Sequence, residues 1–137
     1  MLLRHFSDVD PAIWRWKNFS PDEPGLACPH CGELYIDFVA MDMIQMARDI
    51  LGKPIKLNSG HRCPIHNAMV GGAPMSQHKL LAFDINLRRH DRREVLTACK
   101  QAGFTTFGFY MTFLHTDPRP GRRWFGRGGQ VAWSGVI

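Results

Sequence analysis

The feature that most constrains the fold is a change in the spacing of apolar residues along the chain. Between positions 36 and 51 they recur at the three- and four-residue intervals of an amphipathic helix, which Gly52 and Pro54 would end. Further along, AFDINL (82–87) alternates in the manner of a strand, and TFLHTD (112–117) is also typical of a strand. The chain is therefore expected to combine helices with a sheet.

Shorter elements are predicted between these segments. PIKLNS (54–59) indicates a short strand, CPIHNAMV (63–70) a short helix, and TTFGFY (105–110) a further strand. Asp91, followed three residues later by Glu94, predicts the capped start of a second long helix. We therefore predict an α+β fold in which helices flank a small antiparallel sheet.

Length and composition favour a single domain. The chain has 137 residues, of which 45% are hydrophobic and 21% charged, as expected of a globular protein that encloses one core. We divide it into an irregular N-terminal segment (1–33), a core (34–125) and a glycine-rich tail (126–137). No apolar run approaches the roughly 18 residues of a membrane-spanning helix, so no membrane partner is predicted.

The formal charge of +5 favours an anionic partner. Much of the basic excess lies in RRHDRR (88–93) and RPGRRWFGR (119–127). Such clusters suit nucleic acid or an acidic polymer such as the bacterial cell wall, and a solvated basic surface has the same composition. The N-terminus lacks the pattern of a secretory signal, which predicts a cytoplasmic location.

Two histidines and two aspartates carry the chemistry. His115 and Asp117 are two residues apart in a predicted strand and therefore project to the same face. If AFDINL pairs with that strand, Asp84 joins them, and His78 reaches the same place from the preceding loop. A catalytic zinc needs three such ligands and an open position, and it lowers the pKa of water there to about 7.

Three motifs occur in a recognisable order: SGHRCPIHNAMVGGAPMSQH (59–78), AFDI (82–85) and FGFYMTFLHTDPRPGRRW (107–124). Together they resemble the zinc D-Ala-D-Ala carboxypeptidases of peptidase family M15, in particular its small phage-associated and bacterial members. The family pattern is S-x-H-x-x-G-x-A-x-D, followed by a strand with H-x-H or H-x-D. The resemblance implies that the zinc ligands are His78, Asp84 and His115, with Asp117 as the proton-handling carboxylate.

Two departures from the family pattern leave alternatives open. The family places seven steps between the histidine and the aspartate, with a glycine between them, whereas HKLLAFD (78–84) has six steps and no glycine. Either the shorter interval lies in a loop, or it turns one ligand away and disables the site. In relatives with H-x-H the second histidine binds the metal, so the reverse assignment, with Asp117 as ligand and His115 as helper, is the other possibility.

Arg62 matches an arginine that faces the substrate in this family. A guanidinium offers paired donors to a carboxylate, such as that of a peptide stem ending in D-Ala, or to an oxygen that gains charge in the transition state. A surface arginine in a local ion pair is the competing interpretation. Gln77 and Tyr110 are expected either to line the same cleft or to serve in packing.

The cysteines suggest a separate site. CPHC (28–31) and CPIH (63–66) supply Cys28, Cys31, Cys63 and His66, a set that suits a closed structural zinc site. A disulfide from Cys63 to one of the first pair and unpaired thiols are the alternatives. Cys99 lies on the apolar side of the predicted second helix and is expected to be buried.

The resemblance implies a zinc-dependent metallopeptidase that cuts bacterial peptidoglycan as a carboxypeptidase or an endopeptidase. It further implies a phage or phage-like role, as an endolysin released onto the wall or as part of a virion-like particle with tail proteins. The alternative is a module that keeps the fold but has lost catalysis and binds the wall or a tail assembly. A nucleic-acid binder built on the cysteine motifs ranks last.

Overall fold

The N-terminal segment is a long loop whose two ends meet in a two-stranded ribbon. In the computed structural model, which describes the whole chain, β1 (Leu2–Leu3) pairs antiparallel with β2 (Leu34–Tyr35). Apart from two short 3₁₀ turns, the chain between them is irregular, as predicted. Trp16 and Leu26 of this segment are buried in the hydrophobic core. The segment is thus held to the rest of the molecule at its ends and through its apolar side chains.

Three helices follow: α1 (Phe38–Leu51), α2 (Pro64–Met69) and α3 (Arg92–Gln101). The carboxylate of Asp37 accepts a hydrogen bond from the Ala40 amide at 2.9 Å and begins α1, and Gly52 ends it in the left-handed region with φ of 69°. Asp91 accepts from the amides of the second and third residues of α3, which confirms the predicted cap. None of the helices combines the length and the apolar character that crossing a membrane requires.

The main sheet has five strands: β3 (Leu57–Ser59), β4 (Phe83–Asn86), β5 (Thr106–Phe109), β6 (Phe113–Asp117) and β7 (Arg123–Phe125). They lie in the order β3-β4-β6-β5-β7. The first four form antiparallel pairs, as predicted, but β7 runs parallel to β5 and makes the sheet mixed. The chain turns after β6 and returns along the outer edge of β5, which gives β7 this direction.

One hydrophobic core joins the helices, the sheet and both ends of the chain. Its buried members include Ile44 of α1, Leu96 of α3 and Phe83 of β4. After β7, the short helix α4 (Gly129–Ala132) places Trp133 in the same core, and the Trp133 indole N–H donates to a backbone carbonyl at 2.8 Å. The C-terminal residues therefore contribute to packing although the sequence shows only a glycine-rich tail.

We predict that Trp133→Ala destabilises the protein by about 3–5 kcal/mol, because it removes a fully buried indole and leaves a cavity. The measurement is the free energy of unfolding from urea denaturation. Val131→Ala in the same helix is the control, since Val131 is 82% exposed and its loss should change stability by less than about 0.5 kcal/mol. If the two substitutions lowered the free energy of unfolding equally, the conclusion that Trp133 contributes to the core would be wrong.

Candidate metal site

The side chains of His78, Asp84 and His115 converge on one point beside the central strands. His78 lies in a 3₁₀ turn (Gln77–Lys79), Asp84 lies in β4, and His115 lies directly opposite Asp84 in β6. His78 Nε2 is 3.2 Å from both Asp84 Oδ1 and His115 Nδ1, and His115 Nδ1 is 3.0 Å from Asp84 Oδ1. The structure thus brings together the three residues predicted as ligands.

The outer nitrogen of each imidazole is held by a hydrogen bond that points away from this cluster. His78 Nδ1 donates to the carbonyl oxygen of Gly60 at 2.7 Å. His115 Nε2 donates to Asp117 Oδ2, also at 2.7 Å. In the neutral imidazoles the inner nitrogens are therefore unprotonated, and their lone pairs face Asp84.

The geometry of this cluster fits a zinc ion. Two nitrogen lone pairs and a carboxylate oxygen that face one another at close range need either a proton or a metal cation between them. Ligand atoms bound to a tetrahedral zinc at about 2.0–2.1 Å lie about 3.3 Å apart, close to the 3.0–3.2 Å found here. Three protein ligands beside an open cavity match the donor set of a catalytic rather than a structural zinc site.

The electrostatics of the cluster keep its carboxylate ionised. Burial raises the pKa of Asp84, but contact with the imidazoles of His115 and His78 outweighs it and holds the pKa at about 2. Burial lowers the pKa of His115, but Asp117 and Asp84 outweigh it and raise the pKa above its ordinary value. A proton on His115 and a metal ion therefore compete for the same position between these side chains.

The six-residue interval between His78 and Asp84 is accommodated in a loop. Residues 80–82 join the 3₁₀ turn to β4 and leave the register of β4 on β6 intact. The loop is fixed by His61, whose Nδ1 lies 2.6 Å from the Leu80 carbonyl oxygen and whose Nε2 lies 2.8 Å from a carboxylate oxygen of Glu33. Of the two predicted outcomes, the structure shows the one in which the ligands still meet.

Asp117 lies behind His115 and is not one of the three converging ligands. Its fully buried carboxylate accepts from His115 Nε2, from Arg119 Nε and Nη2 at 2.9 and 2.7 Å, and from the Arg119 amide at 2.9 Å. Burial raises the pKa of Asp117, but these contacts outweigh it and hold the pKa far below its usual range. Arg119 was not identified from the sequence as a partner of Asp117. The feature that could have indicated it is its position two residues after Asp117.

A basic cavity of about 790 Å³ opens on the cluster. Its charged lining residues are Arg62, Asp84, Arg119, Arg122 and Arg123, and its aromatic ones are Tyr110, Phe113 and Trp124. Gln77 and Tyr110 lie on its wall, as one of the two sequence interpretations expected. Arg119 is paired with Asp117, but the other three arginines outnumber the single lining carboxylate, and the cavity therefore favours an anionic ligand.

Arg62 is half-buried on the wall of this cavity. Its Nη2 donates to Ser76 Oγ at 3.3 Å, and its buried Nε has no partner within the protein. Burial lowers the pKa of the guanidinium, and the nearby Asp84 and Tyr110 oppose that change. Arg62 therefore retains donors for a ligand and does not form the local ion pair of the competing interpretation.

The predicted cysteine cluster is present, although its fourth member is not in place. The Sγ atoms of Cys28, Cys31 and Cys63 lie within 4.8 Å of one another, and all three thiols are free. His66 is outside this group, but its amide donates to Cys63 Sγ at 3.3 Å. Burial raises the pKa of Cys28, but hydrogen bonds from the backbone of Cys63, His30 and Cys31 outweigh it and lower the pKa below its ordinary value. Cys99 is separate and buried in the core, as predicted.

Comparison with known proteins agrees with this geometry. The family model described as Peptidase M15 matches residues 19–117, which contain all three converging ligands as well as Arg62 and Asp117. No curated protein sequence matches the chain. The family comprises zinc-dependent metallopeptidases, and the residues that converge here have the donor set such an enzyme needs. The match covers most of the chain, and the protein therefore belongs to the peptidase M15 family.

Proposed function

We propose that the protein is a zinc-dependent peptidase that hydrolyses peptide bonds of bacterial peptidoglycan, as a D-Ala-D-Ala carboxypeptidase or a murein endopeptidase. The observation that carries the proposal is the convergence of His78 Nε2, Asp84 Oδ1 and His115 Nδ1 within 3.2 Å beside an arginine-lined cavity. Membership of family M15 supports zinc-dependent peptide hydrolysis. The positive cavity supports a substrate that carries carboxylates.

The three converging side chains would hold the metal. When bound, zinc polarises a peptide carbonyl and lowers the pKa of water in contact with it to about 7. The site is preorganised, because hydrogen bonds to Gly60 and Asp117 fix the tautomers of His78 and His115 in the absence of a metal. The lone pairs are thus aimed at one point without rearrangement of the protein.

Arg62 would orient the substrate. Arg62 lines the cavity next to the ligand cluster, where its guanidinium can pair with the carboxylate of a stem peptide. Fixing that carboxylate places the neighbouring peptide bond beside the site and lowers the entropic cost of the reaction. Arg122 and Arg123 add positive potential that attracts an anionic polymer to the cavity mouth.

Asp117 would act as a positioning residue, in place of the proton transfer expected from the resemblance. Both of its oxygens are engaged by His115 and Arg119, and it does not line the cavity. Its charge favours the tautomer of His115 that leaves Nδ1 free for a metal. The ion pair with Arg119 compensates for burying that charge.

The catalytic proposal is favoured over the inactive binding module because the short His78–Asp84 interval, the main support for inactivity, does not separate the ligands. A phage or phage-like role completes the proposal and is supported by the resemblance alone. In that role the protein would stay in the cytoplasm until release, or would act from a particle beside tail proteins.

Incubation of the purified protein with peptidoglycan should release D-Ala or cross-link fragments, identified by mass. We predict that a chelator abolishes release and that added zinc restores it. The His78→Ala variant should release no product, with or without added zinc. His90→Ala is the control, because His90 contacts the Pro54 carbonyl far from the cavity and should keep full activity. Wall binding without any cleavage by the zinc-loaded protein would favour the inactive module instead.

Asp117→Asn should weaken zinc affinity or activity by about 10- to 100-fold, since the uncharged amide no longer favours the required tautomer of His115. Competition with a chromophoric chelator measures the affinity. Asp49→Asn serves as the control, because the exposed Asp49 contacts only Gln45 on α1. Unchanged zinc affinity in Asp117→Asn would rule out the positioning role.

Arg62→Ala should lower kcat/KM by about 10- to 100-fold for a peptide with a free carboxylate, the loss expected for a charge-assisted hydrogen bond. The same substitution should have little effect on the corresponding peptide amide. Arg88→Ala, which removes an arginine outside the cavity, should leave both values unchanged. An equal loss on both peptides would show that Arg62 does not recognise the carboxylate.

A further inference from the structure

We propose a second, structural zinc site formed by Cys28, Cys31, Cys63 and His66, separate from the cavity and independent of the catalytic proposal. The first two cysteines belong to the N-terminal segment, and the other two residues belong to the start of α2. The site would therefore join two parts of the chain that are more than thirty residues apart. Zinc, which prefers thiolate and imidazole ligands in closed tetrahedral sites, is the metal of choice.

The arrangement of the sulfur atoms supports this proposal. All three lie within 4.8 Å of one another, close enough for one ion to contact each of them. Thiolates bound to a single tetrahedral zinc at about 2.3 Å lie about 3.8 Å apart. A disulfide between any two of the three cysteines would leave the third thiol unpaired. A disulfide therefore does not account for the whole cluster.

A backbone amide at one of the sulfurs adds a second observation. The amide of His66 donates to Cys63 Sγ at 3.3 Å. Such donors stabilise negative charge on sulfur, which a metal-bound thiolate carries.

His66 is assigned as the fourth ligand from its place in the helix, and its side chain, which lies outside the sulfur cluster, would turn towards the metal on binding. Cys63 is the N-cap of α2 and His66 is the third helical residue, a position whose side chain can reach back to the cap. Its ring stacks on the ring of His30, with 6.3 Å between the two ring centroids. His30 Nδ1 lies 3.7 Å from Cys63 Sγ and is the competing nitrogen.

The proposed site would also stabilise the segment that orients His78. The His61 amide donates to the Leu26 carbonyl at 2.9 Å, and a Cβ atom on Gly60 would lie 2.5 Å from that same oxygen, so these two segments of the chain are in direct contact. Gly60 in turn accepts the hydrogen bond from His78 Nδ1. A metal bound at Cys63 therefore holds this segment close to the N-terminal loop and keeps the Gly60 carbonyl in position.

The test is the zinc content of the full chain, purified in a reducing buffer and measured by mass spectrometry of the metal. We expect two zinc ions per chain, one for each ligand cluster. Cys31→Ser and His78→Ala should each retain one ion, and the double variant none. Cys31 is exposed, so its serine variant is expected to fold, and Cys99→Ser is the matched cysteine control that should keep both ions.

Cobalt substitution gives a readout that does not depend on activity. Thiolate-to-cobalt charge-transfer absorption should appear in the wild type and in His78→Ala, and disappear in Cys31→Ser. His66→Ala should weaken cobalt binding at this site by about 10-fold or more, whereas His30→Ala should not.

A single zinc per chain that His78→Ala removes would overturn the second site. So would a disulfide within the cluster in the intact mass of the freshly purified protein, or two zinc ions retained by Cys31→Ser. Weaker binding in His30→Ala but not in His66→Ala would overturn the assignment of the fourth ligand. None of these results bears on peptide hydrolysis, which His78→Ala tests separately.

Discussion

The register of β4 on β6 is the constraint on which the site depends. It places Asp84 directly opposite His115, so a carboxylate and an imidazole from two central strands meet on the face that borders the cavity. Strand side chains alternate between faces, and a slip of one residue would bury Asp84 in the core and expose Phe83 or Ile85. The core residues of β4 therefore fix the position of Asp84, because their burial permits only one register.

A layer of hydrogen bonds around the ligands decides the chemistry that they can perform. An imidazole can present either nitrogen, and here Gly60 and Asp117 occupy the outer ones. This layer requires a buried negative charge, which Arg119 compensates through three hydrogen bonds to Asp117. The nitrogens that the two histidines would offer to a metal are thus determined by residues outside the proposed ligand set.

Much of the fold follows from local sequence signals, and the parts that do not are those that depend on distant contacts. Helices α1 and α3 begin at Asp37 and Asp91 because these side chains cap free amides, and an amphipathic pattern follows each of them. By contrast, β7 has three residues, too few for a periodic pattern, and it exists only because β5 offers a free edge.

The same distinction applies to the candidate site. His115 and Asp117 were predictable as a pair from their spacing in a strand, but their different environments depend on contacts with β4 and with Arg119. Nothing in the sequence decided whether the short interval after His78 falls in a loop. The structure places it there because burial of the β4 side chains fixes where the strand begins.

The central claim is that His78, Asp84 and His115 bind one zinc ion through the nitrogens and the oxygen that face each other. Anomalous diffraction at the zinc edge, from crystals of the zinc-loaded protein, tests it most directly. We expect a peak about 2.0–2.2 Å from His78 Nε2, an Asp84 oxygen and His115 Nδ1. No peak at that point, or a peak bound by Asp117 with His115 turned away, would contradict it.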